Sequence, residues 1–365
     1  MMVGHGGNVF RVAHQIGCSP CDIIDMSSNM NPLGPPEGLV SYLSQHIDRI
    51  HMLPEADART SRAAFAKYHG ISPERVLAGN GTTQFIYSLP YALDIQKALI
   101  VAPTYADYTD ACRTYGVSIK YVISEESSDF KPNLTAIEDH LEGVDTVFIC
   151  NPNNPTGALV TADELVEPVM KHPCIRWVID ESYLPFVEAG ERESLVSHGL
   201  SNVIVLSSLS KIFRIPGLRI GFVVAAADMV QKIERYALPW TVNSLAQIAI
   251  EYLMSNRAEI DGFMRQTRDF LAAERRRFLK LVDHVSNIKW FPTTTSFMLA
   301  KLTGHHTSEH IYDYFVKNRI LIRDCSNFEG LSNRFIRISL RSADINRKAA
   351  RLLSAVLGKR QGARP

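Results

Sequence analysis

The residues of this chain that could do chemistry fall in four short stretches, each directly after an apolar run. Ser207-Ser208-Leu209-Ser210-Lys211, followed by Arg214 and by Gly217-Leu218-Arg219-Ile220-Gly221, gathers a lysine, several hydroxyls and an arginine. Asp180-Glu181-Ser182-Tyr183 follows Trp177-Val178-Ile179, so the Asp180 carboxylate is expected to be partly buried. Such a carboxylate needs a cationic or N–H partner. Asn151-Pro152-Asn153-Asn154-Pro155-Thr156-Gly157 presents side-chain amides on a loop stiffened by two prolines. Ala78-Gly79-Asn80-Gly81-Thr82-Thr83 is a small-residue turn opening a helix, where backbone N–H groups can approach an anion. Near the start, His5-Gly6-Gly7-Asn8 pairs a glycine nest with two side-chain donors, again suited to an anion. Taken singly, these stretches read equally well as capped turns, Gly-rich connections or a flexible arm.

The elements that must position them follow from the apolar pattern. Strands are expected at Arg75–Ala78, Lys97–Val101, Ser118–Val122, Thr146–Cys150, Trp177–Asp180, Val203–Ser207 and Gly221–Ala225. Their runs are largely apolar rather than alternating, as in a mostly parallel sheet covered on both faces. Helical patterns such as Thr82–Ala92 and Ala162–Lys171 lie between them. The order predicts an α/β protein with a three-layer αβα domain. In such sheets ligands bind at the carboxyl ends of the strands, which is where the four stretches sit. From Ser244 the pattern changes to long amphipathic helices, Leu245–Ser255 and Ala258–Leu281. Strands at Thr294–Lys301, Ile320–Arg323 and Phe335–Ser339 and a last helix at Ala343–Leu357 complete a smaller α+β lobe. The expected division is an arm and part of the small domain over 1–45, a large domain over 46–243, and the small C-terminal domain over 244–365.

Composition narrows the function classes. Among 365 residues, Lys plus Arg number 39 and Asp plus Glu 38, a formal net charge of +1. That balance offers no electrostatic footprint for nucleic acid or an anionic membrane. No apolar window is long enough to span a bilayer, and residues 1–10 lack the pattern of a secretory signal. Six scattered cysteines do not make a disulfide framework, and a cytoplasmic setting is expected. The lone Cys18-Ser19-Pro20-Cys21 has no second ligand pair, so no metal site is expected.

The combination of motifs resembles the fold type I pyridoxal-phosphate enzymes, the aspartate aminotransferase superfamily, over essentially the whole chain. The resemblance is carried by Asn153-Asn154-Pro155-Thr156-Gly157, Asp180-Glu181-Ser182-Tyr183, Ser208-Leu209-Ser210-Lys211 and Gly217-Leu218-Arg219-Ile220-Gly221-Phe222. It implies a Schiff-base lysine at Lys211 and a partner for the cofactor's pyridinium nitrogen at Asp180. Asn154 and Tyr183 would donate to the ring's phenolate oxygen, and Tyr105 would stack on the ring. Gly81, Thr82, Ser208, Ser210 and Arg219 would hold the cofactor phosphate.

Within that superfamily, Ser27-Ser28-Asn29-Met30-Asn31-Pro32-Leu33-Gly34 resembles the histidinol-phosphate aminotransferase branch. His5–Asn8, Leu238–Asn243, Ile320–Leu331 and Phe335–Ser342 resemble its threonine-phosphate decarboxylases of cobalamin synthesis. The resemblance implies a small phosphorylated amino-acid substrate, with an aminotransferase as the alternative. Arg337 would grip the α-carboxylate; Asn29, Asn31 and Asn154 would line the same pocket. His5, Gly6, Asn8, Arg323 and Arg341 would meet the substrate phosphate. It also implies a homodimer. Two departures stand out: Leu53 replaces the tyrosine that usually crosses to the partner's cofactor phosphate, and Ser296 replaces a usual asparagine.

Overall fold

In the computed structural model, residues 6–358 are described. Seven strands form the central sheet in the order Val76–Asn80, Ile220–Val224, Val203–Ser208, Arg176–Asp180, Thr146–Cys150, Lys97–Ala102, Ser118–Ile123. Only Ile220–Val224 runs antiparallel to its neighbours; the remaining pairs are parallel. The expected strands recur within about two residues at each end, in line with ordinary boundary uncertainty. The interior strands Thr146–Cys150 and Ile220–Val224 are buried at every position, while the edge strand Ser118–Ile123 is half exposed. Because six strands point the same way, Asn80, Ala102, Cys150, Asp180 and Ser208 all end on one rim. Ile220, entering antiparallel, starts there. The helices that return the chain are locally well specified. Ala162–Lys171, for example, begins with a capping box between Thr161 and Glu164.

The smaller lobe carries an antiparallel sheet in the order Arg323–Asp324, Phe335–Ser339, Phe297–Leu302, Ile288–Trp290. The 26-residue helix Arg257–Val282 and the closing helix Ala343–Leu357 belong to this part of the chain. One buried apolar cluster runs through both parts and includes Phe148, Phe222, Phe297 and Ile336.

Two expected strands differ from those observed. Ile320–Arg323 is divided at Ile322: Ile320–Leu321 pairs parallel with Ile24–Asp25, and Arg323–Asp324 pairs with Phe335–Ser339. The second begins at Phe297 rather than Thr294. There the threonine hydroxyls bond locally, Thr293 to Thr295 at 2.9 Å, and Thr294 N–H donates to the Gly157 carbonyl. Strand Ile288–Trp290 was not expected, since three residues are too short for a pattern. Among the described residues all six cysteines are free thiols, no cluster could hold a metal ion, and no helix is long and apolar enough to cross a membrane.

Candidate active site

Lys211 sits in the short helix Leu209–Ile212, just past the strand Val203–Ser208. The local chain buries its amine, and among the described residues no hydrogen bond or ion pair ties it down. Burial first, and then Arg219, pull its pKa from 10.5 down to about 8, with Asp180 opposing. Asp180, at the end of its strand, is also buried, and burial raises its pKa. Its two oxygens are steadied by Ser182 N–H at 2.9 Å and by the Tyr108 hydroxyl at 2.7 Å.

Lys211 and Asp180 share an 80 Å³ cavity with Gly81, Thr82, Tyr105, Asn154, Tyr183, Ser208 and Arg219. One end of it is built for an anion. Helix Gly81–Ala92 has no side-chain cap at its N-terminus, so its first N–H groups are available. Gly81 has φ +72°, and a Cβ there would lie 2.5 Å from the Arg219 guanidinium. A Cβ on Gly221 would lie 2.3 Å from the Thr82 nitrogen. Glycine at both positions thus lets an arginine and a helix start converge. Arg219 has no acidic partner among the described residues; Nη1 donates only to the Pro216 carbonyl at 3.4 Å. Ser210 does not line this cavity, and its hydroxyl donates to the Ile220 carbonyl at 3.3 Å. Only Ser208 of the two serines lines it.

The opposite end is an amide-and-phenol cluster. Asn154 accepts from Arg337 through Oδ1, which turns its Nδ2 donor the other way. Tyr183 accepts from Asn29 Nδ2 at 3.0 Å, and Asn29 in turn accepts from Ser339. The Tyr183 hydroxyl proton therefore remains to be given.

An adjoining cavity of 330 Å³ is lined by Gly6, Asn29, Tyr105, Asn154, Tyr183 and Lys211, with Arg323 and Arg337. Arg323 and Arg337 are directly opposite each other on antiparallel strands, an arrangement that disfavours like charges. Among the described residues neither forms an ion pair. Arg337 is 4% exposed. It lies 5.2 Å above the Phe297 ring, gives one N–H each to Asn154 and the Ser27 carbonyl, and leaves Nε unpaired. Arg323 donates to Asn327 at 2.6 Å.

Three expected substrate residues are not brought to this cavity. Asn31 is spent on structure, giving Nδ2 to the Ile212 carbonyl and Thr267 and accepting from Leu33 N–H. Arg341 clamps the Asp25–Met30 segment, donating to the carbonyls of Asp25, Ser28 and Met30. Asn8 lines a neighbouring 390 Å³ cavity, which Gly6, Gly7 and Arg323 border as well. His5 lies outside the described residues. Gly6 packs so closely that a Cβ would sit 2.6 Å from the Ser27 carbonyl, and Gly7 N–H donates to Ser27 Oγ at 2.7 Å. The Ser27 contacts and the Tyr108 bond were not foreseen. The one signal available for Tyr108 was its place three residues after Tyr105. Glu181 faces a separate groove of 840 Å³, where Ser194 and Leu195 N–H hold its carboxyl and burial raises its pKa to about 7.

The sequence profile of the family described as aminotransferase class I and II matches residues 21–354. The chain is a member of the class I and II aminotransferase family. The threonine-phosphate decarboxylase of Salmonella typhimurium is 31% identical to this family member over 97% of the chain and 96% of that protein. The adenosylcobalamin biosynthesis bifunctional protein CobDQ of Leptospira interrogans is 30% identical over 98% of the chain, which spans 41% of that longer protein. Among solved structures, the L-threonine-O-3-phosphate decarboxylase of Porphyromonas gingivalis superposes with a TM-score of 0.83 at 28% identity, over 92% of this chain and 99% of that one. The histidinol-phosphate aminotransferase of Clostridium acetobutylicum gives 0.84 at 26% identity, over 92% and 99%.

Proposed function

We propose that this chain is a pyridoxal-phosphate-dependent decarboxylase of a phosphorylated amino acid in cobalamin biosynthesis. Its substrate would be L-threonine O-3-phosphate, giving (R)-1-aminopropan-2-yl phosphate, or L-serine phosphate, giving ethanolamine phosphate. The observation that carries the reading is the pair Arg323 and Arg337, directly opposite each other, without ion pairs among the described residues and bordering one cavity with Lys211. Two adjacent guanidinium groups are best balanced by a ligand with two anionic groups, a carboxylate and a phosphate.

The residues present fit the cofactor. The uncapped helix start at Gly81, with Arg219 and Ser208, suits its phosphate, and Asp180 suits its ring nitrogen. Asn154 Nδ2 and the Tyr183 hydroxyl keep free donors for its phenolate oxygen. When bound, pyridoxal phosphate supplies a ring that accepts the electron pair released at the substrate's Cα. Arg337 takes the carboxylate as a fork and Arg323 takes the phosphate. Held at these two points, the substrate would have a fixed torsion at Cα, which would select the Cα–carboxylate bond for cleavage. Lys211 Nζ would supply the proton that takes the place of the departing carbon dioxide at Cα. Asp180 keeps a negative charge where the ring nitrogen carries its proton.

The test is incubation with O-phosphothreonine and with O-phosphoserine in the absence of any keto acid. Stoichiometric carbon dioxide release supports the reading. No release, together with glutamate-dependent turnover of imidazole-acetol phosphate, overturns it in favour of transamination.

The same reading includes a homodimer. Met52, Leu53, Leu238 and Trp240 are exposed apolar residues, Leu53 at 79%, and Trp240 N–H bonds the Ala56 carbonyl, joining the two stretches. A patch of this kind marks an interaction surface, and a second copy of the chain is its proposed occupant. The six free thiols fit a reducing, cytoplasmic setting.

A further inference from the structure

Tyr108 is completely buried beside Asp180, and its role is not set by packing alone. Its ring stacks on Phe148 at 5.7 Å and meets the Tyr105 ring edge-on at 5.9 Å. A phenylalanine would make both contacts. Tyr108 also borders the cavity that Lys211 and Asp180 share, and its hydroxyl donates to Asp180 Oδ2 at 2.7 Å. A buried hydroxyl is costly unless it is bonded, and a bond to a carboxylate is of the stronger, charge-assisted kind. Oδ1 has its own donor, Ser182 N–H at 2.9 Å. The Ser182 side chain also favours the ionised Asp180 carboxylate, so Tyr108 is one of two side chains that do so.

We propose that Tyr108 is a positioning residue of the reaction: its phenol keeps the Asp180 carboxylate ionised and aimed at the cofactor's ring nitrogen. The inference rests on the cofactor assignment above. Without the phenol, Asp180 is more basic, and the proton it shares with the ring nitrogen moves toward the carboxylate. Lys211 Nζ would then hold its proton more tightly in the loaded enzyme, because a bound ring with a less protonated nitrogen would withdraw fewer electrons. Burial of the Tyr108 phenol and its contact with Asp180 push its own pKa far up, so it stays a donor throughout the working range. The other charged groups acting on Lys211, which are Arg219, Arg337, Asp180 and Asp107, are the same in every variant below.

The experiment compares the reconstituted wild type, Tyr108→Phe, and a protein carrying 3-fluorotyrosine at 108. The readout is the pKa of the visible cofactor band in the resting enzyme, followed by spectrophotometric titration. Tyr108→Phe is expected to raise that pKa by at least about half a unit and to lower kcat about tenfold with KM little changed. Fluorotyrosine, a stronger donor, is expected to shift the pKa the opposite way. A purely structural tyrosine would change thermal stability or cofactor affinity and leave the pKa in place. Unchanged pKa values, or shifts in the same direction for both variants, overturn the inference alone. A wild-type protein that forms no visible band overturns the cofactor assignment and the inference with it.

Discussion

Replacing Arg337 by alanine tests the substrate reading most directly. The guanidinium has five N–H donors. Two are engaged, one with Asn154 and one with the Ser27 carbonyl, which leaves three for a ligand. A carboxylate held by two of them gains about 2–4 kcal/mol over water, a span centred on twice the ~1.5 kcal/mol low end for a bond to a charged group. Loss of the fork should then lower kcat/KM for O-phosphothreonine by about 30- to 900-fold. Most of the change should appear in KM. The alanine protein should fold, because the 330 Å³ cavity admits water to the two acceptors that Arg337 releases. Arg337→Lys keeps the charge but cannot make a fork, so an intermediate loss is expected. The informative control is ethanolamine phosphate, which carries the phosphate and amine but no carboxylate. Its inhibition constant should be nearly the same in wild type and Arg337→Ala. An unchanged KM would remove Arg337 from the carboxylate role. A weakening of ethanolamine phosphate equal to the loss for the substrate would show that Arg337 supports the pocket or reads the phosphate instead.

Other consequences are open to simple measurements. Lys211 has its pKa lowered to about 8, so the reactive neutral amine is complete above that pH. Stopped-flow loading of apoprotein with pyridoxal phosphate should accelerate about tenfold per unit below pH 8 and level off above it. A continued rise to pH 10 would contradict the burial argument. Glu181 has a folded pKa raised to about 7 against an ordinary value of 4.5. The folded state therefore binds more protons between those values, and stability falls as pH rises through that window, by about 3 kcal/mol. Urea melts of Glu181→Gln should lack this fall, and a parallel decline in both proteins would refute the assignment. Gly81→Ala should weaken cofactor binding about tenfold or more in an equilibrium titration, since it strains a left-handed residue and displaces Arg219. Wild-type affinity in that variant would exclude the cradle. Leu53→Lys should shift light-scattering mass from dimer toward monomer, and a monomeric wild type would exclude the proposed interface.

Much of this architecture was legible because the strands are buried on both faces and so write long apolar runs. Thr146–Cys150, Phe335–Ser339 and Ala343–Leu357 coincide with the expected spans. The rim was legible for the same reason, since motifs that follow such strands must gather there. What the sequence did not disclose is where hydrogen-bonding capacity is spent. Asn31 and Arg341 have suitable chemistry for a ligand, yet their donors are consumed by backbone carbonyls from distant segments. Ser210 is two positions from Ser208 and faces elsewhere, because the chain turns into a helix between them. The pairing of Arg323 with Arg337 depends on a register between strands, which composition does not encode.

That register has a consequence for how such an enzyme can change. The groups proposed to hold the cofactor hang from the rim of one sheet, whereas Arg323 and Arg337 form rungs of a short ladder in the other lobe. Substitutions in the ladder would act on the proposed anion pocket from outside the strands that carry Lys211 and Asp180, with Arg337 the one rung that also acts on Lys211 and holds Asn154. The proposed reactive groups and the proposed ligand-reading groups thus hang from different sheets joined through the Arg337–Asn154 contact, and a graft of the segment 320–342 between relatives tests ligand preference only where that contact is kept.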